Sequence, residues 1–212
     1  MTVKKEPLHI QKFSHDIALR IELQRSLTTF NSEESFLGRN EGNLFDIDTL
    51  VGKARLFVVD LEGASNQGFE ASWMLDVDGA TAPYMQLLGD EAGNFSAAVL
   101  KILGEEFAHS INMLIIDRLE LLPHYRGRGL GLQCSDACIR HLSPGCRIAA
   151  LKPYPLQFEA TNRDANDWQE ALAFGTLSRN KRLSTQRLKQ HYGRLNFQHV
   201  PRTDLMIRDL ES

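Results

Sequence analysis

The sequence predicts an α/β fold in a single domain, and two features carry that prediction. The apolar run at 113–122 (MLIIDRLELL) is long enough for a central strand, and a segment with helical periodicity follows it. The residues Ser143-Pro144-Gly145 then form a helix stop, and RIAAL supplies a short buried strand. At 212 residues the chain can bury one sizeable core, whereas two independent domains would each be small.

The elements before this strand are less distinct. Residues 8–13 look extended, and residues 17–27 fit a strand or a helix equally well. Residues 54–79 contain two apolar stretches around a polar, glycine-containing turn at 64–68, which predicts a β-hairpin. Apolar residues at helical spacing predict a helix within 85–107.

The carboxy-terminal part predicts alternating elements as well. Prolines at 153 and 155 prevent ordinary ladder pairing after the RIAAL strand. Helical stretches are expected near 165–174 and at 185–192. Two closing strands are expected around FQHV and DLMIRDL.

The segment at 119–131, LELLPHYRGRGLG, is an expected anion site. A strand ends before Pro123, and a helix starts within a turn that contains three glycines and two arginines. Glycines let a phosphate approach the backbone, and the first N–H groups of a helix lack intrahelical acceptors. These donors, the helix dipole and the guanidinium groups together favour a phosphate ester.

Two other glycine-loop chemistries do not fit. A dinucleotide fingerprint requires GxGxxG, but counting from Gly127 puts Leu132 at the third glycine position. A P-loop requires Ser or Thr after its Gly-Lys pair, and Gly52-Lys53 is followed by Ala54.

The segment resembles the coenzyme A signature of the GNAT superfamily of acyl-CoA-dependent N-acyltransferases. That signature is Arg or Gln, two residues, Gly, one residue, then Gly or Ala, and Arg126, Gly129 and Gly131 satisfy it. In the family an apolar strand with a Val-x-Pro ending precedes the motif, as 121–123 does here.

A second match lies near the carboxy terminus, where YGRLNFQHV is similar to the tyrosine-bearing helix and last strand pair of the family. Tyr192 lies five residues before Phe197, as the family pattern requires. Asn196 replaces the usual glycine, and asparagine also tolerates a left-handed backbone. The resemblance covers about 55–210.

The resemblance implies a mixed, twisted central sheet flanked by helices. Residues 51–212 would form the GNAT-like acyltransferase domain, and residues 1–50 would be either an N-terminal extension or the first elements of the fold. It also implies an N-acetyltransferase that uses acetyl-CoA as co-substrate, without a metal, and transfers the acetyl group to an amine by direct attack in a ternary complex. The expected coenzyme-binding residues are Leu119, Leu121, Arg126, Gly127, Arg128, Gly129, Leu130 and Gly131.

Three catalytic candidates follow from the same resemblance. Tyr192 maps to the tyrosine that protonates the thiolate, with a core aromatic as the alternative. The attacking ammonium must lose a proton to a carboxylate or to a water chain, and Asp117 and Glu120 on the motif strand are the candidate carboxylates, although Asp117 could instead form an ion pair. Regular strand alternation puts the two carboxylates on opposite faces, with Asp117 on the face of Leu119 and Leu121.

Two long segments depart from the family pattern. Residues 85–107 lie between the expected hairpin and the motif strand, and residues 152–183 lengthen the segment after the fifth strand. Both flank the expected acceptor site, so we hypothesise that they shape substrate choice.

The sequence leaves two other functions to compare with this one. A GNAT-like module could bind acyl-CoA without turnover, as a sensor or interaction subunit. A nucleic-acid-binding protein would use the basic residues at 179–189, but the sequence contains no groove-reading motif.

Composition adds few constraints. A formal charge of −3 gives no global attraction to nucleic acid or to acidic membranes, so neither is an expected partner. The expected partner is an amine, on a small molecule, a peptide or a protein, and the chain is expected to be a monomer or a homodimer. Cys134, Cys138 and His141 share one helical face, but that face is also the core face and no CxxC pair is present, so no zinc site is expected. Reduced thiols and the absence of a signal-like amino terminus predict a cytoplasmic protein.

Overall fold

The computed structural model of the protein describes residues 3–8, 19–30, 34–89, 93–159 and 167–211. Within these ranges the chain forms one sheet of eight strands with helices on both faces. The strands are β1 (Val3–Leu8), β2 (Leu19–Phe30), β3 (Glu34–Asp46), β4 (Thr49–Val59), β5 (Met113–Leu121), β6 (Ile148–Leu151), β7 (Gln198–His199) and β8 (Met206–Asp209). The α-helices are α1 (Leu61–Asn66), α2 (Ala71–Asp76), α3 (Ala97–Leu103), α4 (Leu130–Leu142), α5 (Asp167–Ala171) and α6 (Lys181–Gly193).

The sheet is mixed and twisted, which confirms the predicted fold class. Its strand order is β1-β2-β3-β4-β5-β6-β8-β7, and only the β5–β6 pair is parallel. The first four strands form an antiparallel meander that continues into β5, so β1 to β3 belong to the same sheet as the motif strand. The stretch at 17–27, which fitted a strand or a helix, lies largely in β2, whereas residues 9–13 lie outside the described ranges.

Each face of the sheet has its own apolar cluster. On the first face, Met113 and Ile115 of β5 pack with the helices of the β4–β5 connection. On the second face, Leu114 and Ile116 pack with α4 and with Phe197, which follows α6. The alternation along β5 therefore buries both sides of the strand, as expected for the continuous apolar run of a central strand.

The predicted hairpin at 54–79 is wrong in its second half. Residues 54–59 belong to β4, but α1 and α2 follow it. Asp60 caps α1, because its Oδ1 accepts a hydrogen bond from the Gly63 N–H at 2.8 Å. Leu61 and Ala64 are then buried at a spacing of three residues, so the apolar residues pack with helical rather than strand periodicity.

Most other sequence predictions hold. The structure confirms the helix within 85–107 as α3, the strand at 113–122 as β5 and the RIAAL strand as β6. Helix α4 ends at Leu142, immediately before the predicted stop. Helices α5 and α6 and the closing strands β7 and β8 also lie where they were expected. None of the helices in the described ranges is both long and apolar enough to cross a bilayer.

A β-bulge in β5 changes which side chains share a face. Arg55 of β4 is opposite Arg118, but Leu56 is opposite Ile116, so Asp117 is an extra residue in β5. Leu119 and Leu121 consequently stay on the second face with Ile116. The sequence prediction that Asp117 shares their face is wrong, because it assumed unbroken alternation.

The two carboxylates of β5 lie on one face, not on opposite faces as predicted. Asp117 contacts Arg55 on the first face, where its charge acts on the buried Tyr84. Glu120 alternates with Leu119 and Leu121, so it also points to the first face. The inserted residue therefore brings both carboxylates to the same side of the sheet.

We predict that Arg147 is the ion-pair residue on which stability depends most. Its side chain is 2 % exposed, and its guanidinium bonds Asp209 and Glu105. Arg147→Met removes the buried cation that both carboxylates share and should lower the free energy of unfolding by about 3 kcal/mol. Urea denaturation measures this change.

The matched control for Arg147→Met is Arg140→Met. Arg140 also bonds an aspartate, Asp136, but its side chain is 67 % exposed. We expect the control to lower the free energy of unfolding by less than about 1 kcal/mol. Equal losses in the two variants would contradict the special role of Arg147.

Candidate functional site

The candidate site is a fork between β5 and β6. Their parallel pairing ends at Ile116 and Leu151. Beyond these residues β5 continues along β4 as far as Leu121, whereas β6 ends and the chain runs into Pro153 and Pro155. The two chains separate because proline cannot donate to a ladder and because the bulge at Asp117 bends β5.

The separation opens a cavity of about 550 Å³, which we call the fork cleft. Its walls come from the second half of β5, the loop before α4, the segment after β6 and the carboxy-terminal half of α6. Most of the predicted site residues line it, namely Asp117, Leu119, Glu120, Leu121, Arg126, Gly127, Gly129, Gly131 and Tyr192. Arg128 and Leu130 belong to the same loop and helix start but do not line it.

The loop between β5 and α4 is held in place by side chains at its start. The Tyr125 hydroxyl donates to Asp46 Oδ2 at 2.7 Å, which ties the loop to β3. Arg126 donates from Nε to the Leu121 carbonyl and from Nη2 to the Leu172 carbonyl, both at 2.7 Å. These three bonds hold the start of the loop against β3, the end of β5 and the residue that follows α5.

Backbone N–H groups converge at the start of α4. Gly127 and Gly129 have φ values of 73° and 77°, a left-handed backbone that glycine adopts readily. Within the described part of the chain, the N–H groups of 127–132 have no hydrogen-bond acceptor. We call these donors the N–H cradle. Successive free N–H groups at the N-terminus of a helix are a binding site for an anion.

The side chains around the cradle add positive charge. Basic residues outnumber carboxylates on the fork cleft wall, with Arg118, Arg126, Lys152, Arg187 and Arg194 against Asp117 and Glu120. Arg128 is exposed beside the cradle and has no ion-pair partner among the described residues. The cleft thus favours an anionic ligand although the whole chain is acidic.

The motif predicts that the Arg126 guanidinium pairs with a phosphate, whereas in this structure it bonds groups of the protein. Its guanidinium makes hydrogen bonds to two carbonyl groups and lies 5.5 Å from the centroid of the Phe174 ring. Burial lowers its pKa, and the charge of Glu120 acts in the opposite direction. In this structure the side chain braces the loop, while its charge still contributes to the potential of the cleft.

The exposed backbone edge of β5 faces the fork cleft. Leu122 donates its N–H to Val51 of β4, so the main-chain groups of Leu121 and Leu119 point the other way. Arg126 bonds the Leu121 carbonyl, and the N–H and C=O of Leu119 have no hydrogen-bond partner among the described residues. This edge can pair with an extended ligand as a further strand would.

Both candidate bases have partners. Asp117 Oδ2 accepts from Arg55 Nε at 2.5 Å. Glu120 accepts from Arg118 Nη1 at 2.9 Å and from Trp168 Nε1 at 2.7 Å, so both of its oxygens are bonded. Asp117 retains one oxygen without a bond to a described residue, and it is therefore the better placed of the two to accept a proton.

Tyr192 and His191 come from the last turns of α6. Burial raises the pKa of Tyr192 to about 12, so its hydroxyl stays protonated at neutral pH. The ring packs edge-to-face on Phe197 with centroids 6.0 Å apart, so the predicted catalytic role and the packing alternative are both compatible with its position. Burial, followed by the charge of Arg194, lowers the pKa of His191.

Sequence reasoning missed three residues of the site. His191 lines the fork cleft close to Gly131, Lys152 lies at the mouth of the fork, and Trp168 bonds Glu120. The spacing of Arg187 and His191, four residues apart on a predicted helix, was a usable signal. No sequence signal pointed to Trp168, because its contact with Glu120 joins segments that are far apart in the chain.

Two groups of residues of the types that bind metals lie outside the fork cleft. Cys134 and Cys138 are buried in the second apolar cluster, and burial raises the pKa of each thiol to about 12, whereas His141 is exposed. A group of Glu105, His109 and Glu211 has ligand atoms within 4.8 Å of one another. The Arg147 guanidinium bonded to Glu105 already supplies positive charge there.

The chain matches no family model, no curated protein and no solved structure. Its function is therefore inferred from the geometry of the fork and from the resemblance carried by residues 119–131 and 192–197.

We predict that His191 makes stability depend on pH. Its pKa is below 6.5 in the folded protein, so between the two pKa values the unfolded chain binds more protons. The stabilisation by neutral His191 is then present above about pH 6.5 and is lost as pH falls. Urea denaturation of the wild type and of His191→Asn, from about pH 7.5 to about pH 5.5, measures this term.

The expected result is that the wild type loses more stability than His191→Asn on acidification. Parallel losses in both proteins would show that His191 is solvated and titrates normally.

Proposed function

We propose that the protein is an acyl-CoA-dependent N-acetyltransferase with a GNAT-like site, which transfers the acetyl group of acetyl-CoA to an amine. One observation carries the proposal: the N–H cradle lies at one end of a cleft formed by two diverging parallel strands. An anion bound at the cradle can extend an attached chain along the free edge of β5. A diphosphate ester with an extended arm has this form.

Different groups of the cleft would bind different parts of acetyl-CoA. The N–H groups of 127–132 and the charge of Arg128 would hold the pyrophosphate. The free N–H and C=O of Leu119 would pair with the pantetheine amides. A main-chain donor on this edge would also stabilise the oxyanion that develops on the thioester carbonyl.

Proton transfer needs two further groups. Asp117, directly or through water, would accept a proton from the attacking ammonium. Tyr192 would donate a hydrogen bond or its hydroxyl proton to the departing thiolate. Its hydroxyl carries its proton at neutral pH, because burial raises the pKa of Tyr192 to about 12. Glu120 would act through its bonds to Arg118 and Trp168, because neither of its oxygens is free.

A second candidate is an acyl-CoA-binding module without turnover. The ion pair between Asp117 and Arg55 and the two bonds of Glu120 favour it, because both carboxylates already have partners. The two candidates differ in thiol release. Only the enzyme converts acetyl-CoA to free CoA when amines are supplied.

We also propose a cytoplasmic location. Its support is the set of buried, unpaired thiols of Cys134, Cys138 and Cys146, which is typical of a reducing compartment.

We predict that Gly131→Glu abolishes acetyl-CoA binding. A Cβ at Gly131 would lie 3.8 Å from Leu119, Leu121 and His191, so the side chain would enter the cleft. The backbone at Gly131 is helical, and the change therefore avoids the strain expected at the left-handed Gly129. The carboxylate would compete for the cradle and repel the phosphates, weakening binding at least about 100-fold by isothermal titration.

The control for this variant is Gly193→Glu. It adds the same charge at the end of α6, where a Cβ would meet no atom within 4 Å. Binding should be retained in the control. Equal affinity of Gly131→Glu and the wild type would remove the basis of the proposal.

We predict that Tyr192→Phe lowers kcat at least about 100-fold while changing the Kd of acetyl-CoA by less than about twofold. The substitution removes the hydroxyl and keeps the ring that packs on Phe197. Stopped-flow thiol detection gives kcat, and titration gives Kd. Similar losses in both constants would assign Tyr192 to packing.

A further inference from the structure

Opposite charges occupy equivalent positions on the two arms of the fork. Ile116 and Leu151 form the last parallel pair, and Asp117 and Lys152 follow them directly. Both side chains line the fork cleft. Both also line a second cavity of about 370 Å³ on the first face of the sheet, which we call the side chamber.

The side chamber adjoins the fork cleft. It shares Asp117, Lys152, Tyr154 and Leu156 with the fork cleft, so the two cavities join at the point where the strands separate. Its outer wall is formed by 79–84, from the connection between β4 and β5, and by 152–159. The start of the second segment expected to shape substrate choice, 152–183, therefore lines this chamber. No described residue of the first segment, 85–107, lines it, although 79–84 lie directly before that segment.

Both charges at the fork can take a further partner. Asp117 bonds Arg55 through Oδ2, and its Oδ1 makes no hydrogen bond to a described residue. Lys152 has no carboxylate within ion-pair distance in the described part of the chain, and its Nζ lies 6.0 Å from the centroid of the Tyr154 ring. Glu159, the other carboxylate of the chamber, is bound by Arg118.

We propose that the acceptor is a small zwitterionic amine of the α-amino acid class, with its ammonium at Asp117 and its carboxylate at Lys152. This inference rests on the proposed acetyltransferase function. A free α-amino acid carries its ammonium and its carboxylate on the same carbon atom, and the fork presents one opposite charge on each of its two adjacent arms. The chamber volume suits a small molecule enclosed on several sides.

The proposed reaction balances. The ammonium loses one proton through Asp117 to solvent, and the amine nitrogen forms a bond to the thioester carbonyl carbon. The carbon–sulfur bond breaks, the nitrogen loses its second proton to solvent, and the thiolate takes a proton from Tyr192, which regains one from solvent. The products are an N-acetyl amino acid, CoA and one released proton.

The first experiment compares acceptors by thiol release from acetyl-CoA. The panel contains free L-amino acids, the α-amide of each, spermidine, and a lysine peptide with a blocked amino terminus. We expect turnover with one or more free amino acids and at least about tenfold lower kcat/KM for the matching amide, which lacks the carboxylate. Equal rates with acid and amide, or turnover confined to spermidine or the peptide, would overturn the proposal.

The second experiment tests Lys152. Lys152→Gln should raise KM for the free amino acid at least about tenfold and leave KM for its amide unchanged. The matched control is Lys181→Gln, because Lys181 lies 4.5 Å from the same Tyr154 ring but lines neither cavity. Loss of the acid–amide difference in the control as well would count against Lys152 as the carboxylate partner.

A binding measurement separates this inference from the proposed function. Ligand-observed NMR with the same free amino acids, without acetyl-CoA, reports on the chamber alone. Binding that is lost in Lys152→Gln would support the chamber as an amino acid site even if the protein does not bind acetyl-CoA. Binding of acetyl-CoA together with no binding and no turnover of any free amino acid would overturn the inference and leave the coenzyme site standing.

Discussion

The structure of the site depends on one constraint, the end of parallel pairing at Ile116 and Leu151. Up to that pair, β5 is a buried central strand with apolar side chains on both faces. Beyond it, β5 is bound on one edge only, and the other edge faces a cavity. Two features end the pairing together. The prolines that follow β6 cannot continue the ladder, and the extra residue in β5 bends that strand away.

The same bulge also sets the chemistry of the two faces. It places Leu119 and Leu121 in the apolar cluster of the second face and turns Arg118 and Glu120 toward the first face, where Asp117 also lies. Anion-binding backbone groups consequently lie near one end of the cleft, and the carboxylates lie on the other side of the sheet. A ligand that reaches from the cradle through the fork would present its far end to the carboxylates, which is the arrangement that transfer between a bound donor and an acceptor requires.

Electrostatics in this protein are local rather than global. A net charge of −3 gives the chain no general affinity for anions, yet the fork cleft has more basic than acidic side chains, and its N–H cradle lies at the start of α4. Protein groups already bond part of this charge, since Arg118 pairs with Glu120 and Glu159 and Arg126 donates to two carbonyl groups. Arg55, Arg118 and Arg126 each bond a group of the protein, so they hold the shape of the cleft and leave Arg128 and the backbone donors for a ligand.

The sequence alone determined the elements whose signals are local. The apolar run of β5, the glycine turn before α4, the stop after it and the tyrosine-bearing helix are all readable, because each depends on residues adjacent in the chain. It also determined most of the candidate coenzyme-binding residues, which form one contiguous motif. The helices at 61–76 were missed, since their apolar spacing fits a strand until the Asp60 cap is seen. The tertiary structure decided which residues share a face and which meet across the fork. A single extra residue in β5 reverses the alternation of side chains between the two faces, and it is recognised only from the pairing of β5 with β4. The fork also brings together Asp117, Lys152, His191 and Trp168, which lie in segments that no local sequence pattern links.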